Sequence, residues 1–429
     1  MHIFAELERR EQEGRPVRVA VVGTGFMGQG LLRQIHLIRG MTVVCVANRT
    51  LEKAIAALRG TGVEPGSIAV CGDAASAQQA IGRGQAVATT DLLLAASLSE
   101  VDVIMEATGN VGVGARVATT AIAHGKHIVA ANPECQATVG ALIQHRAEAA
   151  GVVYSDIDGD QPGLIMNLYN YCTGLGLDAV VAGNCKGVLK RYATPATQER
   201  FATENGISPW IATAAADGTK LNLEMAIVAN ATGMLPARRG MTGLTTSVQT
   251  LIEDFEQAGL LSHDPIVEYT FGIESGVFIV ARSDDEALQR EWRYLKMGNG
   301  PYYLFYEPRV LCHFDAPLSA AQAVLYGTPT IAPKGPPLTE VVACAKVDLK
   351  AGTRLDGIGG FHCYGEILGA CNADGLLPIG LAEGAVLTRN VAIDQPIELD
   401  AVEFEADTLP LQLRREQDAL FASKAQVPA

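Results

Sequence analysis

The chain has 429 residues, with 33 Lys and Arg against 47 Asp and Glu, a formal net charge of −14 at pH 7. So acidic a balance excludes nucleic acid and anionic membranes as general partners, because both need a basic face; a phosphate-bearing ligand requires a local cationic cluster. A hydrophobic content of 48% is that of a globular chain, and the length exceeds what one core fills, so two or three domains are expected.

At the N-terminus Met1-His2-Ile3-Phe4 runs into the charged Glu6-Leu7-Glu8-Arg9-Arg10. No signal-like apolar stretch is present there, and no later run approaches the roughly 18 apolar residues of a membrane span, so a cytoplasmic protein is expected. Nine cysteines, scattered from Cys45 to Cys371 without a CxxC pair, read as small buried thiols rather than disulfides or a zinc site.

The apolar run Val17 to Val22 is followed by Gly23-Thr24-Gly25-Phe26-Met27-Gly28 and then by Leu31-Leu32-Arg33-Gln34-Ile35. That order is strand, tight glycine turn, helix. The first Gly permits the turn, the second lets backbone approach a pyrophosphate, the third lets helix pack on strand, and the helix N-terminus faces the anion. A second strand, Thr42 to Ala47, ends in Asn48-Arg49-Thr50. No Asp or Glu stands there to bind a free ribose 2′-hydroxyl, and an Arg beside a Thr suits a 2′-phosphate, so NADP(H) is expected over NAD. Arg49 also reads as a solvated helix-start residue.

Next comes a Gly-rich stretch, 59–85, with one helix near Ala74 to Ala80. Strand Val101 to Ala107 ends in Thr108-Gly109, a helix covers Ala115 to Ala123, and strand Lys126 to Ala130 precedes Asn132-Pro133. A helix through Ala141 to Ala149 leads to the strand Val152 to Asp156. The alternation predicts an α/β doubly wound parallel sheet over residues 1–156, with Thr108, Gly109, Asn132 and Pro133 beside the cofactor at the carboxyl edge. Residues 157–337 read as an α+β substrate and dimerisation domain, although a helix near 317–326 is expected to return to the first. The Pro-rich Thr328 to Pro337 looks like a linker, and 338–429 reads as short strands and turns.

Three groups in the middle region carry chemistry. Asp156, Asp158 and Asp160 follow the last strand of the parallel sheet, and such oxygen-rich loops suit Mg²⁺ or Mn²⁺. Alternatively Asp160 and Pro162 merely start a helix. Lys186, Lys190 and Arg191 lie within six residues, beside Thr194 and Thr197, as a clamp for a substrate phosphate or as a solvated basic loop. Lys186 is the preferred general acid or oxyanion partner. Lys220 and Glu224, at i and i+4 in an otherwise apolar helix, form a surface pair or a buried functional one; Glu224 is placed either with Asp156 and Asp158 on a metal or with Lys186. Asp158 is also a catalytic candidate. His313 is a weaker one.

These residues resemble a known family. The glycine turn, Glu106-Ala107-Thr108-Gly109 and His124 to Asn132 resemble the homoserine dehydrogenase type of Rossmann protein over about the first 155 residues. Val347 to Thr353 and Gly384 to Arg389 resemble a SAF domain. Together they resemble the 1-deoxy-D-xylulose 5-phosphate reductoisomerase-like proteins. That resemblance implies an NADPH-dependent reductoisomerase making 2-C-methyl-D-erythritol 4-phosphate for isoprenoid synthesis, metal-dependent and assembled as a homodimer or homotetramer. True homoserine dehydrogenases carry a Lys where this chain has Pro133, and a catalytic Lys near the position of Glu224. Two other readings stay open: an NADP-dependent dehydrogenase of another small hydroxy-aldehyde or sugar acid, and a non-catalytic NADP-binding regulator.

Overall fold

A computed structural model describes residues 2–262 and 264–424. The chain divides into two compact units. The first comprises 1–160, 311–332 and 407–429; the second comprises 161–310 and 333–406.

The first unit is an α/β layer structure around seven parallel strands, β1 (Val17–Val22), β2 (Met41–Ala47), β3 (Ile68–Val70), β4 (Ala86–Thr89), β5 (Val103–Glu106), β6 (His127–Ala130) and β7 (Tyr154–Asp156), in the order β3-β4-β2-β1-β5-β6-β7. Every neighbouring pair is parallel. The alternation along β1 explains why such a strand must be covered on both faces. Val17, Val19 and Val21 enter one hydrophobic core, and Ala20 and Val22 enter the other. Strand order reverses between β1 and β5, so a crevice opens at their carboxyl ends, beside Gly23 and Thr108.

The short strands β3 and β4 were not anticipated. Three and four residues long, and rich in Ala, they carry little β-propensity of their own and are defined by pairing with each other and with β2. Helix Cys312–Tyr326 lies in this unit, and its Ala316, Ala320, Ala321 and Ala323 enter the same core as β1's valines. The last helix, Leu409–Lys424, also belongs here; its Gln417 accepts from the Leu142 amide at 3.0 Å.

The second unit begins with helix Gln161–Gly174. Its mixed sheet has β8 (Asp178–Cys185), β9 (Leu235–Pro236), β10 (Leu244–Thr245), β11 (Ile266–Phe271), β12 (Val277–Arg282) and β13 (Tyr302–Glu307). The order is β10-β11-β8-β12-β13, with β9 paired to β11. β12 runs antiparallel to both β8 and β13, while β8, β9, β10 and β11 are mutually parallel where they pair. The tail adds two antiparallel pairs, β14 (Thr339–Ala345) with β15 (Cys363–Gly369), and β16 (Val386–Leu387) with β17 (Val402–Glu403). Helix Thr219–Thr232 packs against both the mixed sheet and the tail. Twelve of its fourteen residues are buried, so it is a core helix whose polar residues need partners.

Candidate functional site

In the first unit the turn after β1 is tight, and two of its glycines are required by the fold. Gly23 has φ +95°, and a Cβ there would lie 2.8 Å from the Ala107 carbonyl oxygen. A Cβ on Gly28 would lie 2.0 Å from the Gly23 carbonyl oxygen, so only glycine lets the helix sit on the turn. Gly25 differs: a Cβ there would meet nothing within 4 Å. It is also the N-cap of helix Phe26–Leu37 and supplies no side-chain cap, which leaves the first helical amides directed at open space. The buried hydroxyls of Thr24 and Thr108, which flank Gly23, have no hydrogen-bond partner among the described residues. These features fit a bound pyrophosphate.

The neighbouring side chains divide into those that face outward and those engaged in the fold. Asn48 accepts weakly from the Thr24 amide at 3.4 Å and donates to the Thr50 carbonyl at 3.0 Å, which shapes the tip of β2. Arg49 and Thr50 are exposed there. Phe26 is half exposed and meets His313 edge-on at 5.7 Å. Met27 packs on the core instead. His313 covers Gly30, where a Cβ would lie 2.5 Å from its ring; burial pushes its pKa down, and its role is packing of helix Cys312–Tyr326.

Asn132, expected beside the cofactor, is fully buried. Its Nδ2 donates to Glu106 Oε2 at 2.6 Å and to the Asn110 carbonyl at 3.1 Å, while its Oδ1 caps the helix at Cys135 N, 3.0 Å away. Glu106 Oε1 accepts from the Thr108 amide at 2.7 Å, and burial raises its pKa. Asn132 and Glu106 therefore shape the Thr108-Gly109 loop, with Gly109 at φ +62°, and Pro133 occupies the first helical turn.

The acidic loop after β7 is knitted into its own unit. Asp156 Oδ1 accepts from the Ile157 amide at 2.7 Å, and Asp158 Oδ1 from the Gly159 amide at 2.8 Å. The Asp158 amide donates to Ser319 Oγ at 2.7 Å, and Asp160 accepts from the Cys312 thiol at 3.5 Å. A helix does begin right after Asp160. Among the described residues no three His, Cys, Asp or Glu side chains form a group able to hold a metal ion. The divalent site expected from Asp156, Asp158 and Glu224 therefore has no such group to support it.

The second unit contains a cavity of about 280 Å³ whose walls include Gln161, Asn184, Lys186, Lys220, Glu224 and Glu274. β8 delivers Asn184 near its end and Lys186 directly follows it, and helix Thr219–Thr232 delivers Lys220 and Glu224 one turn apart. Lys220 Nζ lies 3.3 Å from Glu224 Oε1, and Asn184 Nδ2 donates to Glu224 Oε2 at 3.1 Å. Lys186 Nζ donates to the Ala215 carbonyl at 2.8 Å. Burial is the main cause that lowers the Lys186 pKa; Glu224 opposes it and Lys220 adds to it. Two ammonium groups and a buried carboxylate thus share one polar cavity, able to stabilise charge on a carbonyl oxygen and to move protons.

Lys190 and Arg191 are not brought into this cavity, which corrects the expected phosphate clamp. Arg191 pairs with Glu366 at 3.0 Å and stacks over the Tyr364 ring at 5.0 Å, and Arg239 takes the other Glu366 oxygen at 2.9 Å. Lys190 is exposed on the loop. Thr194 and Thr197 exchange hydrogen bonds as a capping box for helix Pro195–Asn205. Their proximity in sequence is helix-start chemistry. Gln161, Asn184 and Glu274 were missed as wall residues; only the strand-end position of Asn184, next to Lys186, hinted at it.

Residues 159–316 match the family model described as oxidoreductase DRL, catalytic domain. All of the cavity residues named above fall inside that segment. The match supports an oxidoreductase of the Rossmann dehydrogenase type. No curated protein matches the chain. Among solved structures, a homoserine dehydrogenase from Thiobacillus denitrificans is 15% identical, with 89% of this chain and 98% of that chain covered at a TM-score of 0.43. The 1-deoxy-D-xylulose 5-phosphate reductoisomerase from Zymomonas mobilis in complex with NADPH is 19% identical, covering 72% and 81% at a TM-score of 0.37. A myo-inositol dehydrogenase from Lactobacillus casei in complex with NAD(H) and myo-inositol is 15% identical, covering 63% and 64% at a TM-score of 0.34. Likeness at this level carries no inference about substrate or cofactor.

Proposed function

We propose that this protein is an NADPH-dependent oxidoreductase acting on a small hydroxy-carbonyl compound, and that the first reaction to test is conversion of 1-deoxy-D-xylulose 5-phosphate to 2-C-methyl-D-erythritol 4-phosphate, a step of isoprenoid synthesis. One observation carries this reading: Lys186, Lys220 and Glu224 line a single cavity within the segment that matches an oxidoreductase catalytic domain. The same reading expects a cytoplasmic homodimer or homotetramer, with the tail as a SAF-like element. Among the described residues no helix is long and apolar enough to cross a membrane.

Gly23, Thr24, Gly25 and the amides opening helix Phe26–Leu37 would hold the pyrophosphate, and Arg49 with Asn48 and Thr50 the 2′-phosphate. When bound, the reduced nicotinamide supplies a hydride. Lys186 and Lys220 donate hydrogen bonds to the substrate carbonyl oxygen and stabilise the negative charge that develops there. Lys186, with its pKa lowered by burial, gives up an Nζ proton to that oxygen more readily than an ordinary lysine. Glu224, oriented by Asn184 and Lys220, accepts from the adjoining substrate hydroxyl, whose proton must leave if the carbon skeleton is to rearrange.

A second reading has its own support. The cavity walls carry Lys186 and Lys220 against Glu224 and Glu274, so their formal charges cancel, and Arg191 is paired elsewhere. An unphosphorylated hydroxy-aldehyde or sugar acid fits that balance. The test is anaerobic incubation of the protein with NADPH and the ketose phosphate, with Mg²⁺, Mn²⁺ or EDTA, beside a panel of unphosphorylated hydroxy-aldehydes. Loss of reduced-cofactor absorbance only with the phosphorylated compound supports the first reading. No turnover on any carbonyl despite tight NADPH binding leaves a cofactor-binding regulator.

A further inference from the structure

The tail from Pro333 to Ala406 lies outside the matched catalytic segment, and the cavity contains none of its residues. It nevertheless grips the helix that presents Lys220 and Glu224. The Gly365 amide of β15 donates to Thr219 Oγ1 at 2.9 Å, and the Ile367 amide donates to Asn222 Oδ1 at 2.8 Å. At the far end of the helix, Asn230 Oδ1 accepts from the Leu338 and Thr339 amides at 2.8 and 3.1 Å. Just ahead of the helix, Asp217 pairs with Lys346 at 2.8 Å, both side chains essentially without solvent exposure. Lys346 Nζ also donates to the carbonyls of Ala193 and Gly360.

Two further observations turn this packing into a mechanical relationship. Thr219, Asn222 and Asn230 fall within about 80° on a helical wheel, while Lys220 and Glu224 lie roughly 130° round from them. The tail therefore holds one stripe of the helix while another stripe lines the cavity. The approach of β15 is also as close as it can be, since a Cβ on Gly365 would lie 2.8 Å from Val341 Cγ1 and 3.1 Å from Thr219 Cγ2. Main-chain donors bonded to Thr219, Asn222 and Asn230 fix both the rotation and the axial position of the helix, because any screw motion breaks all three sets at once.

We propose that the C-terminal β-structure is a positioning element for the cavity: through Thr219, Asn222 and the Asp217–Lys346 pair it sets where the Lys220 ammonium and the Glu224 carboxylate stand relative to Lys186. This rests on the reading that those three groups act on substrate. Thr219, Asn222, Asp217 and Lys346 are positioning residues, since none of them lines the cavity.

The test uses the full-length protein as Thr219→Val, Thr219→Ser and Asn222→Ala variants. NADPH titration and thermal melting identify variants that remain folded. The first readout needs no substrate. It is the pH dependence of amine acylation at Lys186, followed by mass spectrometry, because that lysine faces Glu224, Lys220 and Asp217, with Glu274 on the same walls. The midpoint is expected to move in Thr219→Val and Asn222→Ala, since both Glu224 and Lys220 shift relative to Lys186, and to stay in place in Thr219→Ser. The second readout, with a substrate that the wild type turns over, is a loss of at least tenfold in kcat with KM for NADPH unchanged, restored by serine. Folded Thr219→Val and Asn222→Ala proteins with an unmoved Lys186 midpoint overturn the proposal. If the midpoint moves while the wild type turns over no carbonyl, positioning stands and the functional reading fails. If Thr219→Val and Asn222→Ala do not fold, Thr219→Ser and Lys346→Arg decide: a midpoint shift in Lys346→Arg but not Thr219→Ser supports the proposal, and no shift in either overturns it.

Discussion

Arg191 forms an ion pair with Glu366 at 3.0 Å within the second unit, where the guanidinium lies over Tyr364 while the carboxylate is almost fully buried and also holds Arg239. A basic residue that looks available for a ligand is thus already part of the joint between the loop after β8 and the tail. Arg191→Ala is expected to destabilise the protein by about 1–3 kcal/mol, since it leaves a buried carboxylate with one partner fewer. Thermal melting checks this. Lys190→Ala should leave both the melt and the substrate KM within error, and a sharp KM rise for a phosphorylated substrate in either variant would restore the clamp.

The glycine turn after β1 separates space needed by the fold from space open to the proposed cofactor. Gly28→Ala should collapse the turn, because its Cβ would sit 2.0 Å from the Gly23 carbonyl oxygen. Gly25→Ala should melt as the wild type does, because its φ of −70° suits alanine and its Cβ meets no protein atom within 4 Å. Fluorescence titration is expected to show NADPH affinity lowered at least tenfold in Gly25→Ala. Undiminished affinity there would mean that the pyrophosphate does not approach this backbone.

Cofactor choice tests Arg49. A charge-assisted hydrogen bond to a 2′-phosphate contributes about 1.5–3 kcal/mol. Arg49→Ala should therefore weaken NADPH binding by tenfold or more and leave NADH binding unchanged. Equal affinity of the wild type for NADPH and NADH would remove the NADP assignment.

The pH profile tests the cavity. Burial lowers the Lys186 pKa from its usual value, Glu224 raises it and Lys220 lowers it. If the ammonium form serves the reaction, activity falls as pH rises through that lowered pKa, at a lower pH than an ordinary lysine would give. The sign of each variant follows: Lys220→Met removes a like charge and shifts the alkaline limb to higher pH, whereas Glu224→Gln removes the opposite charge and shifts it to lower pH. Residual initial rates across pH measure both, and shifts in the same direction would separate Lys186 from the other two.

The buried pair of Asp217 and Lys346 makes a stability prediction independent of catalysis. Lys346→Met should cost about 3–5 kcal/mol in urea unfolding, because it leaves the Asp217 carboxylate buried without its cation. Replacing both as Asp217→Asn and Lys346→Met should recover much of that loss.

The sequence by itself determined the parallel sheet's central strands and the glycine turn, because β1 alternates between two cores and Gly23 and Gly28 occupy positions that a Cβ cannot. It also singled out Lys186, Lys220 and Glu224, since ionisable groups beside apolar runs are costly unless they serve a purpose. Tertiary structure alone decided which of these meet. Lys190 and Arg191 stand only four and five residues beyond Lys186, yet a partner 175 residues away, Glu366, draws Arg191 out of the cavity. Asn132 is engaged by Glu106 across neighbouring strands, and the short β3 and β4 exist through pairing rather than propensity. The grip of the tail on helix Thr219–Thr232 uses main-chain amides. Every residue but proline carries such a donor, so nothing in the order of side chains announces where it will be used.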